Sequence, residues 1–241
     1  MAKRYSQPQS GSRIDPSKVK DLSLTAVWCG SEPSMVLVSG ETATRSITIQ
    51  LGASQQGKVA RFTSVNIEAI RLAVYADSVL GTTQTTIAVL RRCLDTTARA
   101  SEVFAYNDTG SRCLAHAPYS DGVLYWDFAN LTSGSGRISV AYTKDTQWET
   151  LVFVAGQTKG REVWRRGVRI ANNASAKAVR ASTTFDFRLG AETFSAVPSD
   201  NIDVALCVVS NGEWTDAQIR EWCSNPFQIF QSPPSPIWGA P

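Results

Sequence analysis

Short runs with an apolar residue at every second position dominate this chain, and they constrain its fold more than any other feature. Leu22-Ser23-Leu24-Thr25-Ala26-Val27-Trp28, Ser46-Ile47-Thr48-Ile49-Gln50-Leu51, Ile138 to Tyr142 and Phe185-Asp186-Phe187-Arg188-Leu189 place their apolar side chains on one side of an extended backbone. Ile70 to Tyr75, Ile87 to Leu90 and Val123 to Phe128 read as further strands. Trp148 to Ala155 is apolar on both sides after Glu149, and Ile202 to Val209 is nearly continuous, the pattern of central strands covered on both faces. Glu162 to Arg165 and Val168 to Ile170 flank Arg166-Gly167 as a hairpin. The Gly- and Thr-rich stretch from Gly81 to Thr86 suits strand as readily as loop, because the β-branch of threonine favours extended backbone.

Parallel strands need a long, usually helical, crossover between them. Here the runs follow one another at roughly 8–15 residues, through turns such as Asp121-Gly122, with no helical period interleaved. The expected fold is therefore all-β, an antiparallel sandwich, and 241 residues suit one such domain that needs no staples. One short C-terminal helix is expected. Thr215-Asp216-Ala217-Gln218 forms a capping box, Ala217, Ile219, Trp222 and Cys223 supply an apolar stripe, and Asn225-Pro226 ends it. Phe227, Ile229 and Phe230 then pack back on the sandwich.

The ends differ from the body. Residues 1–20 read as an extended basic arm, 21–231 as the sandwich and 232–241 as a stiff proline-rich tail. The arm holds Lys3, Arg4, Arg13, Lys18 and Lys20 against Asp15 alone; the chain's net charge is +3, so the rest sums to −1. A basic arm on a neutral body points to an anchor on an acidic neighbouring surface, with a merely solvated segment as the alternative. Nucleic acid is not an expected partner, since no aromatic-basic platform follows the arm. No apolar run is long enough to span a bilayer, and the first eight residues lack the apolar core of a signal peptide, so no membrane partner is expected. Cys29, Cys93, Cys113, Cys207 and Cys223 are odd in number and lack C-x-x-C spacing, which points to free buried thiols. The sequons at Asn107, Asn130 and Asn173 then read as turn residues.

The order of motifs from Gly122 to Phe230 carries a resemblance. A Gly-x-Leu-Tyr-Trp strand leads to Trp-x-x-Leu-Val-Phe. A Val-Trp-x-x-Gly-Val hairpin, Phe-Arg-Leu-Gly and Ile-Asp-Val-Ala-Leu follow, and Trp-Thr-Asp-Ala-Gln-Ile and Asn-Pro-Phe-Gln-Ile-Phe close the run. This order resembles the second half of a laminin-G-like, concanavalin-A-like jelly-roll module, with an ending similar to those in tailed-bacteriophage virion proteins. The resemblance implies a jelly-roll topology and a non-enzymatic virion component (head decoration, collar or fibre). Its partners would be other virion proteins, and it would stand in a symmetric homo-oligomer. The alternative is an adhesin that binds host surface polysaccharide; a degenerate glycan hydrolase is the third reading. Such modules commonly carry Asn-Gly at the hairpin tip. Arginine is disfavoured at positive φ, so Arg166-Gly167 predicts another turn type or a three-residue loop.

Glucanases of this fold are similar in carrying carboxylates at alternate positions of one strand, because glycoside hydrolysis needs two carboxyl groups facing one bond. Glu149, Glu162, Glu192, Asp186 and Asp203 each lack an acidic neighbour two residues on, so no catalytic residue is expected. The single histidine, His116, follows Cys113 in an expected loop and reads as incidental rather than as half of a nucleophile pair. No cofactor is expected. Calcium is the one metal that the fold resemblance implies, with Asp121, Asp127 and Asp145 as candidate ligands and ordinary turn aspartates as the alternative reading. Trp28, Trp126, Trp148 and Trp222 read as core. Trp164, beside Arg165 and Arg166, is the candidate exposed aromatic-cationic binding surface.

Overall fold

A computed structural model describes residues 7–8, 12–33, 36–40, 42–45, 49–64, 67–106, 111–129, 136–190 and 199–231. Lys3, Arg4, Asn107, Asn130, Glu192, the start of the Ser46–Leu51 run and the tail from 232 lie outside the described residues.

The described strands are, in chain order, β1 (Leu24–Cys29), β2 (Thr44–Arg45), β3 (Gln50–Ser54), β4 (Gly57–Phe62), β5 (Ala69–Ala73), β6 (Thr85–Cys93), β7 (Phe104–Tyr106), β8 (Arg112–His116), β9 (Val123–Ala129), β10 (Arg137–Ala141), β11 (Trp148–Gly156), β12 (Gly160–Arg165), β13 (Val168–Asn173), β14 (Phe187–Gly190) and β15 (Ile202–Ser210). They form two antiparallel sheets. One has the order β13-β12-β11-β6-β15-β4-β3, with β1 also paired to β15; the other runs β10-β9-β8-β7-β14-β5-β2. The all-β sandwich expected from the sequence is observed.

Period-2 alternation sorts the side chains between the sheets. Ile87 and Val89 of β6, Leu151 and Phe153 of β11 and Val163 of β12 face inward, where they meet Phe104, Trp126, Phe128 and Phe187 of the opposite sheet. Phe104 is the centre of this core, with ring centroids 5.1 Å from Phe153, 5.7 Å from Trp126 and 5.9 Å from Phe187. A register shift between Val204 and Leu206 lets β15 keep Ile202 and Val204, then Cys207 and Val209, on the same inner side.

The alternate residues of the larger sheet are buried too. Ala88, Leu90, Val152, Val154, Trp164, Leu206 and Val208 lie under a second apolar layer. That layer is built from helix α2 (Asp216–Ser224), the 3₁₀ turn Pro226–Ile229 and the N-terminal segment. The capping box is present: the Thr215 hydroxyl accepts from Gln218 N–H, and the Gln218 side chain accepts from the Thr215 N–H. Ile219, Trp222 and Cys223 are buried, whereas Ala217 of the expected stripe is exposed.

Three expectations change. Strand β1 is buried on both sides rather than one, because this second layer covers its outer face. The arm is not extended throughout: Pro16–Asp21 forms a second short helix, α1, capped by Asp15. Ile14 bridges Phe230, so this segment folds onto the body before residue 21. The β12–β13 hairpin has a two-residue tip, with Arg166 at φ 51° and Gly167 at φ 81°. Arg166 tolerates that conformation because its N–H donates to Thr150 O at 2.9 Å and its guanidinium reaches Asp145 at 2.6 Å.

Candidate functional site

The two sheets offer different outer faces. On the larger sheet the outer face is closed by α2 and its neighbours. Trp164, expected at the surface, is only 1% exposed there. Its indole N–H donates to Glu162 at 2.9 Å, and the cations of Lys159, Arg169 and Arg220 stand 5.3–5.8 Å from its ring. Arg165 projects from the opposite side of β12, as alternation requires, and binds Glu149 and Asp145. Arg166 pairs with Asp145 at the tip. The three residues therefore do not form one surface.

The described part of the arm contributes to the same covered side. Lys18 pairs with Glu221 of α2 at 2.9 Å, the Arg13 carbonyl accepts from Gln231 N–H, and Lys20 is exposed. A cleft of about 610 Å³ lies between this segment and residues 32–38, with Ile14, Val19, Leu37 and Val38 among its apolar lining.

On the outer face of the smaller sheet polar and aromatic groups gather, with no helix over them among the described residues. His116 on β8 lies directly opposite Tyr125 on β9, which in turn lies opposite Ser139 on β10. The turn between β8 and β9 is closed by Tyr119 N–H to Val123 O and by Gly122 N–H to Tyr119 O, with Gly122 at φ 79°. It brings Tyr119 back onto the same group. Ring centroids are 4.8 Å for His116–Tyr119, 6.2 Å for Tyr119–Tyr125 and 6.3 Å for His116–Tyr125, all edge-on. Both tyrosines are partly exposed.

Polar groups surround these rings. Tyr125 OH donates to Asp121 at 2.7 Å, and the Arg137 guanidinium stacks 4.6 Å from the Tyr125 ring. The Tyr125 hydrogen bond, with one from Val123 N–H, holds the Asp121 carboxyl below its usual range. The bond to Asp121 raises Tyr125 above the usual phenol value. His116 Nδ1 lies 2.6 Å from Ser101 O. A carbonyl only accepts, so Nδ1 carries the proton and Nε2 keeps the lone pair. Burial lowers the His116 pKa from its ordinary value. The arrangement offers partly exposed ring faces beside a carboxylate and a guanidinium, groups that suit the C–H faces and hydroxyls of a sugar.

The residues weighed for catalysis are placed otherwise. Glu149 is buried between Arg91 and Arg165, Glu162 binds Lys159 and Arg169, and Asp203 binds Arg61 and Arg92. Cys113 and His116 both lie on β8 rather than in a loop; the odd offset puts Cys113 in the inner core and His116 on the outer face. Burial pushes the Cys113 thiol well above its usual value. All five cysteines are buried and free.

The calcium candidates do not converge. Asp127 is buried against Arg137 at 2.5 and 2.6 Å, and Asp145 binds Arg165 and Arg166. Among the described residues no group of three or more metal-ligating side chains comes together.

Tyr119, Tyr125 and Arg137 were not singled out in the sequence. The signal for two of them was present: Tyr125 and Asp127 alternate with core residues on β9, and Arg137 sits opposite Asp127.

No protein-family model matches the chain, and no curated protein sequence matches it. Solved structures do. The chain is similar to domain 4 of AbnA, a GH43 extracellular arabinanase from Geobacillus stearothermophilus, solved in complex with arabinotriose. The TM-score is 0.65 at 16% identity, covering 83% of this chain and 98% of that one. It is similar to the binding domain of Paraclostridial Mosquitocidal Protein 1 (TM-score 0.63, 14% identity, 85% of this chain and 52% of that one). It is also similar to botulinum neurotoxin type C, whose cell entry depends on two ganglioside molecules (TM-score 0.65, 12% identity, 87% and 52%). The chain thus spans about half the length of the last two. At these identities the likeness shows the fold alone, a two-sheet antiparallel β-sandwich.

Proposed function

We propose that this protein is a non-catalytic carbohydrate-binding module that recognises surface glycans. The observation that carries the reading is the Tyr119–Tyr125–His116 cluster, with Asp121 and Arg137 beside it, on the sandwich face that no described helix covers. The arabinotriose complex of a domain matched over nearly its whole length supports it, as does the ganglioside dependence of the neurotoxin. The commitment of Glu149, Glu162 and Asp203 to ion pairs disfavours the hydrolase reading. We further propose the surface of a tailed-phage particle as the setting, with several symmetric copies displayed. That setting rests on the sequence resemblance, and the docking of Lys18 on the protein's own α2 weakens the arm's case as the anchor.

The test is a glycan array followed by titration of the best oligosaccharide into the parent chain, Tyr119→Ala and Trp164→Phe. The reading predicts a hit on the array, affinity lowered roughly tenfold or more by Tyr119→Ala and little changed by Trp164→Phe; losing one stacked ring costs on the order of 1–2 kcal/mol. An array with no hits, or Tyr119→Ala binding like the parent, would sink it.

A further inference from the structure

The register of the smaller sheet lines up one row of outward side chains across its width. Thr44 of β2 faces Arg71 of β5, Arg71 faces Arg188 of β14, and Arg188 faces Ala105 of β7. Ala105 faces Leu114 of β8, Leu114 faces Asp127 of β9, and Asp127 faces Arg137 of β10. The row has two charged ends and a buried apolar middle, Ala105 and Leu114.

Each end holds two arginines to one carboxylate, but the pairing differs. At the β9–β10 end Arg137 and Arg112 share the buried Asp127. At the β5–β14 end Arg71 and Arg188 occupy directly opposed ladder positions. Arg188 Nη2 binds Asp186 at 2.8 Å, but its Nε is buried and has no hydrogen-bond partner among the described residues. Arg71 donates to the Thr44 hydroxyl at 3.1 Å and has no carboxylate partner among the described residues. Like charges directly opposite across a ladder destabilise it. Here Asp186 pairs with Arg188 alone, and an oxyanion bound at the two arginines would supply the missing charge and accept from the donors left over.

We propose that Arg71 and Arg188, with the Thr44 hydroxyl, form an anion subsite, so that the glycan recognised by this face is acidic and carries a carboxylate or sulfate group. The inference rests on the carbohydrate-binding reading above and names the substrate class of the same face. Tyr125 on β9 and Arg188 on β14 are three strand steps apart, about 14 Å at the usual inter-strand spacing. That is more than one sugar ring, and Ala105 and Leu114 between them are buried, so the arginines are a contact separate from the tyrosine cluster.

Affinity electrophoresis of the full chain at physiological salt tests this, in gels containing polygalacturonate, dextran sulfate or neutral dextran. Retention by polygalacturonate identifies a carboxylate ligand and retention by dextran sulfate a sulfate ligand; either supports the subsite. Arg71→Gln and Arg188→Gln are each expected to weaken that retention roughly tenfold, the worth of one charge-assisted hydrogen bond, with melting temperatures no lower than the parent's. Arg220→Gln removes the same charge from α2 on the far side and is expected to leave retention unchanged. Equal weakening by Arg220→Gln would overturn the proposal, because the attraction would then be non-specific. Unchanged retention in both arginine variants would also overturn it, as would lost binding accompanied by a melting temperature several degrees lower. Retention by dextran as strong as by the acidic polymers overturns the anion subsite and spares carbohydrate binding. No retention in any gel, with a silent glycan array, removes the carbohydrate reading itself.

Discussion

Trp164 separates two accounts of this molecule, and replacing it with alanine gives them opposite outcomes. If the indole were a ligand platform at the surface, its loss would abolish binding and leave stability nearly intact. The structure instead places it 1% exposed beneath α2, beside Trp222 and Ile219 in the layer that closes the larger sheet. Truncation removes a large buried ring and leaves a cavity between sheet and helix, at a cost of about 3–5 kcal/mol. Glu162 would not be orphaned, since Lys159 and Arg169 both remain bonded to it at 3.1 and 2.8 Å, so no further desolvation penalty is added. For a domain of this size that loss lowers the melting temperature by roughly 6–20 °C. Urea denaturation should show a lower midpoint at unchanged slope, while the folded fraction binds glycan like the parent. A loss below about 1 kcal/mol, or glycan binding lost at unchanged stability, would refute the reasoning.

Two further predictions concern buried ionisable groups. Glu149→Ala should destabilise by about 3–5 kcal/mol, because it strips Arg91, which is fully buried, of its carboxylate and Tyr142 of its acceptor; a urea midpoint within error of the parent's would contradict this. Burial lowers His116, so the unfolded chain binds the extra proton. Stability should therefore fall as pH drops below about 6.5 and level off beneath the folded value. His116→Gln should remove that slope in urea midpoints taken from pH 8 to 5, since it is the only histidine; a slope that survives the substitution would refute the assignment.

Strand positions were legible because alternation is a local property. Val123 to Phe128, Ile138 to Tyr142 and Ile202 to Val209 appear as β9, β10 and β15 within a residue or two. The capping box at Thr215 was equally local. What alternation could not reveal is what lies over an outer face. Trp164 reads as outward on β12, and it is; the residues that cover it, Ile219 and Trp222, lie more than fifty positions away. The double burial of β1 was hidden for the same reason. The arm misled through composition: Ser, Gln and Pro suggested extension, yet Asp15 followed by Pro16 is a helix start, and Ile14 finds Phe230 across the whole length of the chain. The tyrosine cluster needed both a turn and a register. Tyr119 and Tyr125 are six residues apart, and only the β8–β9 hairpin sets both against His116.

Backbone amide NMR of the full chain during titration with its best-binding oligosaccharide tests the central claim most directly. The account predicts the largest shifts at His116, Tyr119, Asp121 and Tyr125, with α2 and the segment around Trp164 unmoved. Shifts centred on Trp164, on α2 or on the cleft beside Ile14 and Leu37 would contradict it.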